Sequence, residues 1–164
     1  MKRLVSLVLA VLLLLTFSGC VRNSDNYKAP ANFYYQNTSV KFFEADSVIA
    51  HEIRETVNYD GDIVAILNTY LKGPVSDKLL SPFPAGLQVV TTQRINDYIV
   101  ITLSKEFSSL SGLDLTIACS CICATIMELT GCEIIEFKSE EPLPDNLTTL
   151  VFTYDDLYFI DEVL

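Results

Sequence analysis

A chain of 164 residues has the length of one domain, and half of it is apolar, too much for a disordered segment. It carries 11 Lys and Arg against 21 Asp and Glu, a formal charge of −10. That balance argues against nucleic acid, whose phosphates need clustered Lys and Arg, and against a polybasic grip on anionic lipid.

The first element is a leader. Lys2 and Arg3 precede Leu4–Phe17, an apolar run interrupted only by Ser6 and Thr16. A positive head and a run shorter than the ~20 residues of a spanning helix read as a secretory signal peptide over residues 1–19. The run ends in Phe17-Ser18-Gly19-Cys20, which resembles the lipobox of bacterial prolipoproteins, with Phe17 where leucine is usual. The resemblance implies cleavage before Cys20 and lipidation of Cys20. The mature chain would then sit at the extracytoplasmic face of the cell membrane, held by lipid. Residues 20–31 read as the lipidated cysteine and a polar tether, because Arg22-Asn23-Ser24-Asp25-Asn26 is polar and Lys28-Ala29-Pro30 does not readily open a helix. Without Lys2 and Arg3 the balance becomes −12, and no second apolar run reads as a membrane span.

Beyond the tether, Asn32–Tyr35 carries the aromatic run of a strand, and Val40–Glu44 and Val48–Thr56 are further strand candidates. Asp60-Gly61-Asp62 reads as a turn and N-cap. Ile63, Ile66, Leu67, Tyr70 and Leu71 follow at helical spacing, and Gly73-Pro74 ends that helix. After a loop closing on Phe83-Pro84-Ala85-Gly86, Leu87–Thr92 and Tyr98–Leu103 form a hairpin around Asn96-Asp97. Ser111 and Asp114 have capping-box spacing before a helix that runs to Thr130, with Gly131 as its C-cap. Its stripe is Leu115, Ala118, Cys119, Ile122, Ile126 and Leu129. The opposite face, Ser120, Cys121, Ala124 and Thr125, is small rather than charged, so burial on most sides is expected. Glu133–Phe137 reads as a strand, and Leu150–Tyr154 with Leu157–Ile160 as a terminal hairpin around Asp155-Asp156. Runs of strands with two helices on one face of a mixed or antiparallel sheet make an α+β fold.

The order helix, Leu71-Lys72-Gly73-Pro74, Phe83-Pro84-Ala85-Gly86, hairpin ending Thr102-Leu103-Ser104-Lys105-Glu106-Phe107, small-residue helix, then Gly131-Cys132-Glu133-Ile134 resembles the GerMN domain of the GerM family. The resemblance covers residues 32–137, with 138–164 as a C-terminal loop and hairpin completing the domain. It implies a fold similar to the ring-building motif, a place in the envelope of spore-forming bacteria, and a role in sporulation or germination. It implies assembly with a protein partner in the cell envelope rather than catalysis. The reading kept beside it is an envelope lipoprotein that binds peptidoglycan or a small solute.

The chemistry-bearing residues point the same way. The single histidine, His51, lies beside Glu52, and adjacent strand residues face opposite sides, a poor acid–base pair. No Gly-x-Ser-x-Gly elbow occurs, and Asp155, Asp156, Asp161 and Glu162 lack EF-hand spacing. Cys119, Cys121, Cys123 and Cys132 lack the spacing of a zinc site. They are read as buried thiols, with a disulfide to Cys132 as the alternative. No catalytic residue, metal or cofactor is therefore expected, and Cys20 is the one assigned site. Cys20→Ala is expected to block lipidation and change processing; mass spectrometry of the mature N-terminus, finding acyl chains on Cys20 of the parent chain alone, checks it.

Overall fold

A computed structural model describes residues 28–38, 47–57, 62–143 and 147–157. The leader, Cys20, the strand expected over 40–44, Asp60-Gly61 and residues 158–160 of the expected last hairpin arm lie outside them. Strand β1 is Lys28–Asn37 and β2 is Ile49–Val57. They pair antiparallel with Phe33 opposite Glu52 and Tyr34 opposite His51. Strand β1 begins inside the stretch read as tether, because β2 extends far enough to pair with it from Lys28.

Helix α1, Ile63–Tyr70, starts where the Asp62 carboxylate accepts the Ala65 N–H at 2.9 Å. Strand β3 is only Leu79–Leu80, β4 is Val89–Ile95, and β5 is Tyr98–Leu103. Asn96, in the hairpin turn, has φ 55°, the left-handed conformation an asparagine tolerates. A short 3₁₀ turn, Lys105–Ser109, leads to helix α2, Gly112–Thr130, which ends on Gly131 at φ 67°. The expected capping box at its start does not form: Ser111 is the N-cap residue but its hydroxyl makes no cap hydrogen bond. Strands β6, Ile134–Ser139, and β7, Leu150–Thr153, complete the set, and the described chain closes on a 3₁₀ turn at Tyr154–Asp156.

The α+β class expected from the sequence holds, with the strands divided between two sheets. One is antiparallel in the order β2-β1-β3; the other is mixed in the order β4-β5-β6-β7. The only parallel pair among the described strands is β5 with β6. Parallel neighbours need a long crossover, and α2 supplies it. The mixed sheet buries Ile99, Ile101, Leu103, Ile135 and Phe137 in the same core as α2. Phe107 fills the corner between β5 and α2 and packs 5.9 Å from Phe137, centroid to centroid.

Helix α2 also touches β1 on one side and β7 with the last turn on another. All 11 residues from Ile117 to Met127 are buried. By length and composition α2 could cross a membrane, contrary to the sequence expectation of no second such run, but here it is the core helix of the fold. Within the same core an aromatic group joins β1 to α1 and the loop before β4. Tyr70 lies 5.5 Å from Phe33, 4.9 Å from Tyr35 and 5.0 Å from Phe83, centroid to centroid. Ile122, 1% exposed, sits in the middle of α2. Ile122→Ala is expected to cost about 2–5 kcal/mol through lost transfer energy and a cavity, measured as a shift in the urea unfolding midpoint.

Candidate functional site

Three features could carry function: a polar device on β2, a cleft at the C-terminal end of α2, and the sheet edges. The device starts from strand periodicity. Glu52 and Arg54 are two apart on β2 and share a face, while His51 and Ile53 take the other. Arg54 is in ion-pair contact with Glu52, donates at 2.9 Å to the Tyr35 hydroxyl and donates at 2.8 Å to the Gly73 carbonyl. Its guanidinium also lies 5.2 Å from the centroid of the Phe33 ring. Glu52 accepts the N–H groups of Val75 at 3.0 Å and Ser76 at 2.8 Å. The Leu71-Lys72-Gly73-Pro74 segment is thus clamped on both sides of Pro74. Gly73 takes φ 106°, which a side chain would oppose.

Sequence reading left Glu52 and Arg54 without a role, since their partners are about twenty residues away and no periodicity announces them. His51 is not brought to any of these groups. It is half-buried, with its ring 5.4 Å from that of Tyr34.

The cleft encloses about 710 Å³ between β1, the end of α2 and the last turn. Tyr34, Met127, Glu128, Glu133, Tyr154 and Asp155 line it, and among the described residues no Lys or Arg does. The Glu128 carboxylate is fixed by the Asn32 amide at 2.7 Å and the Tyr34 hydroxyl at 2.8 Å. Burial, and then the bond to Glu128, push the Tyr34 phenol up to about 12, so it remains a donor at neutral pH. Of the acidic residues noted at the C-terminus, Asp155 faces this cleft. Asp156 instead caps the last turn, accepting the Thr153 N–H at 2.7 Å and the Thr153 hydroxyl at 2.8 Å. Asp161 and Glu162 lie outside the described residues.

The four cysteines Cys119, Cys121, Cys123 and Cys132 are buried free thiols. Burial pushes Cys119, Cys121 and Cys123 upward, so they stay protonated and act as small hydrophobes in the core. Among the described residues no group of His, Cys, Asp and Glu is placed to hold a metal ion.

No family model and no curated protein sequence matches the chain. Among solved structures it is similar to the tandem GerMN domains of the sporulation protein GerM from Bacillus subtilis. The TM-score is 0.54 and the identity 18%, over 69% of this chain and 39% of that one. The chain therefore spans less than half the length of that tandem structure. At this identity the likeness shows the fold, an α+β GerMN-like domain. The chain is also similar to a protein described as a lipoprotein from Clostridium perfringens, with TM-score 0.46 and 20% identity over 79% of this chain and 89% of that one.

The clamp on the Gly73 loop yields a pH prediction. Burial raises the Glu52 carboxyl, but the N–H groups of Val75 and Ser76 and the Arg54 guanidinium outweigh it and hold it below its ordinary value. A carboxyl lowered in the folded state adds stability above its unfolded value, about 4.3, and loses it as pH falls through the lowered folded value. Glu52→Gln is therefore expected to cost about 1.5–3 kcal/mol at pH 7, the range of hydrogen bonds to charged groups. The difference from the parent chain should shrink as pH falls below about 4, checked by urea midpoints at pH 7 and pH 3.

Proposed function

We propose that this chain is a lipoprotein, anchored through Cys20 at the extracytoplasmic face of the cell membrane. Its GerMN-like domain works there by contact with another envelope protein and has no catalytic centre. The observation that carries this reading is the fold likeness to the GerMN domains of a sporulation protein. On that basis the stage of action proposed is sporulation or spore germination. The placement of the reactive residues supports it: Glu52 holds a loop, Asp156 caps a turn and His51 packs on a tyrosine. The strong negative charge favours a partner less acidic than the chain itself.

A second reading, binding of a small solute or a cell-wall fragment, is favoured by one observation: the cleft with its tyrosines and oriented Glu128 carboxylate.

The test is photo-cross-linking of the membrane-anchored chain in sporulating and vegetative cells, from probes set at exposed Val75 and exposed Val151. An adduct with a second envelope protein is the expected result. Turnover of cell-wall fragments or ester and amide substrates, abolished by His51→Ala or Asp155→Asn, would overturn the reading. Saturable binding of a cell-wall fragment, lost in Tyr154→Ala, with no protein adduct, would replace it with the second.

A further inference from the structure

The cleft at the C-terminal end of α2 gathers negative charge and leaves it unanswered. Glu128, Glu133 and Asp155 line it, and among the described residues none of the three is in an ion pair. Arg94 reaches the last turn of α2, but it does not line the cleft. Its guanidinium is held to the Thr130 carbonyl at 2.9 Å and the Asn96 carbonyl at 3.1 Å. The helix adds to the field, because its negative end meets the cleft at Gly131 and its last turn holds no basic residue.

Charge alone would make a solvated acidic rim; two further features make a seat. One is the Glu128 carboxylate, whose Oε1 accepts the Asn32 amide at 2.7 Å and whose Oε2 accepts the Tyr34 hydroxyl at 2.8 Å. An ionised carboxylate offers about four acceptor positions, so both oxygens keep room for a further donor. Two free positions on one fixed, planar group match the fork of a guanidinium. The other feature is the lining around it. Tyr154 is 68% exposed and makes no ring contact among the described residues, while Met127 and Leu157 offer apolar surface to a methylene stem.

Resting on the contact reading above, we propose that this cleft is where the envelope partner docks, and that it receives an arginine side chain from a basic segment of that partner. The guanidinium bonds both oxygens of Glu128 and lies against the Tyr154 ring, with its stem on Met127 and Leu157. Glu133 and Asp155 draw the basic neighbours of that arginine. A lysine would bring a point charge that neither spans the carboxylate nor stacks as a plane. A second copy of this chain would set −10 against −10, whereas a basic segment meets the cleft with opposite charge.

The test varies the ligand before the protein. The probes are short fluorescein-labelled peptides of glycine and serine, each with two lysines flanking a central arginine, lysine or citrulline. Citrulline keeps the shape of arginine and loses its charge. They are titrated against the detergent-solubilised full chain at physiological salt, where charge is screened beyond about 8 Å. The arginine peptide is expected to bind about tenfold tighter than the citrulline peptide and about threefold tighter than the lysine peptide. Glu128→Gln should erase the preference for arginine over citrulline. Glu141→Gln removes the same charge at an exposed site outside the cleft and should preserve it. Tyr154→Ala should weaken the arginine peptide about threefold. Equal binding of the three peptides, or the same loss from Glu128→Gln and Glu141→Gln, overturns the proposal. The peptide comparison uses the unaltered chain and stands whether or not a variant folds. In cells, Glu128→Gln should cut the adduct formed from the Val151 probe about tenfold. An undiminished adduct overturns docking at the cleft and leaves the contact reading standing. No adduct from any probe in the parent chain defeats the contact reading itself, and the arginine-bearing partner with it.

Discussion

A helix without a water-facing side through its middle is the constraint on which this fold depends. From Ile117 to Met127 every residue of α2 is buried, so the usual division into an apolar stripe and a charged face has no place. What replaces it is small volume. Ala118, Cys119, Ser120, Cys121, Cys123, Ala124 and Thr125 leave room for β1 to come close, and Ile122 and Ile126 fill what remains. The cost falls on the polar members of that run. Thr125 is satisfied, accepting the Tyr34 N–H at 3.0 Å, whereas the Ser120 hydroxyl is the one buried side-chain oxygen without a hydrogen-bond partner among the described residues. A buried orphan hydroxyl costs about 1–3 kcal/mol, so close packing outweighs polar satisfaction at that position.

The approach of β1 to α2 decides how β1 is finished. Bond directions alternate along an antiparallel strand, and the Tyr34 N–H is turned away from β2 toward Thr125. The Tyr34 carbonyl, on the same side, receives the Tyr70 hydroxyl from α1. Side chains of both helices thus close the edge of β1 over the stretch that the two-residue β3 does not reach. Pro30 falls on the same alternation, so the N–H it lacks is one that β2 would not have used. Tyr35 continues the chain of bonds, donating to the Tyr70 carbonyl at 2.9 Å and accepting from Arg54. Loss of the Glu52–Arg54 pair would therefore be felt beyond the Gly73 loop, in the seam between β1 and α1.

What could be read in the sequence follows the range of the interactions. Helix α2, its Gly131 cap, the β4–β5 hairpin and the Asp62 cap are local, and each was legible from spacing. The division of the strands into two sheets was not, because period two gives a face and no partner. Nor was the Glu52–Arg54 clamp, a set of polar contacts across about twenty residues. The caps show where local pattern stops deciding. Ser111-x-x-Asp114 and Thr153-x-x-Asp156 offer the same signature, yet only the second forms its hydrogen bonds. Cys20 is the opposite case, legible in a lipobox-like string yet outside the described residues.

The sheet edges show how unevenly the fold is protected. Strand β3 is two residues long and β7 four, too short to invite much pairing. On β2, Glu52 and Arg54 turn their charges inward to the Gly73 loop, and inward-facing charge is a recognised way of discouraging a neighbour. Strand β4 is bordered by α1, whose Asn68 side chain occupies its outer edge at Val89. The strand is seven residues long and mostly exposed, and it carries a single charge drawn back over the end of α2.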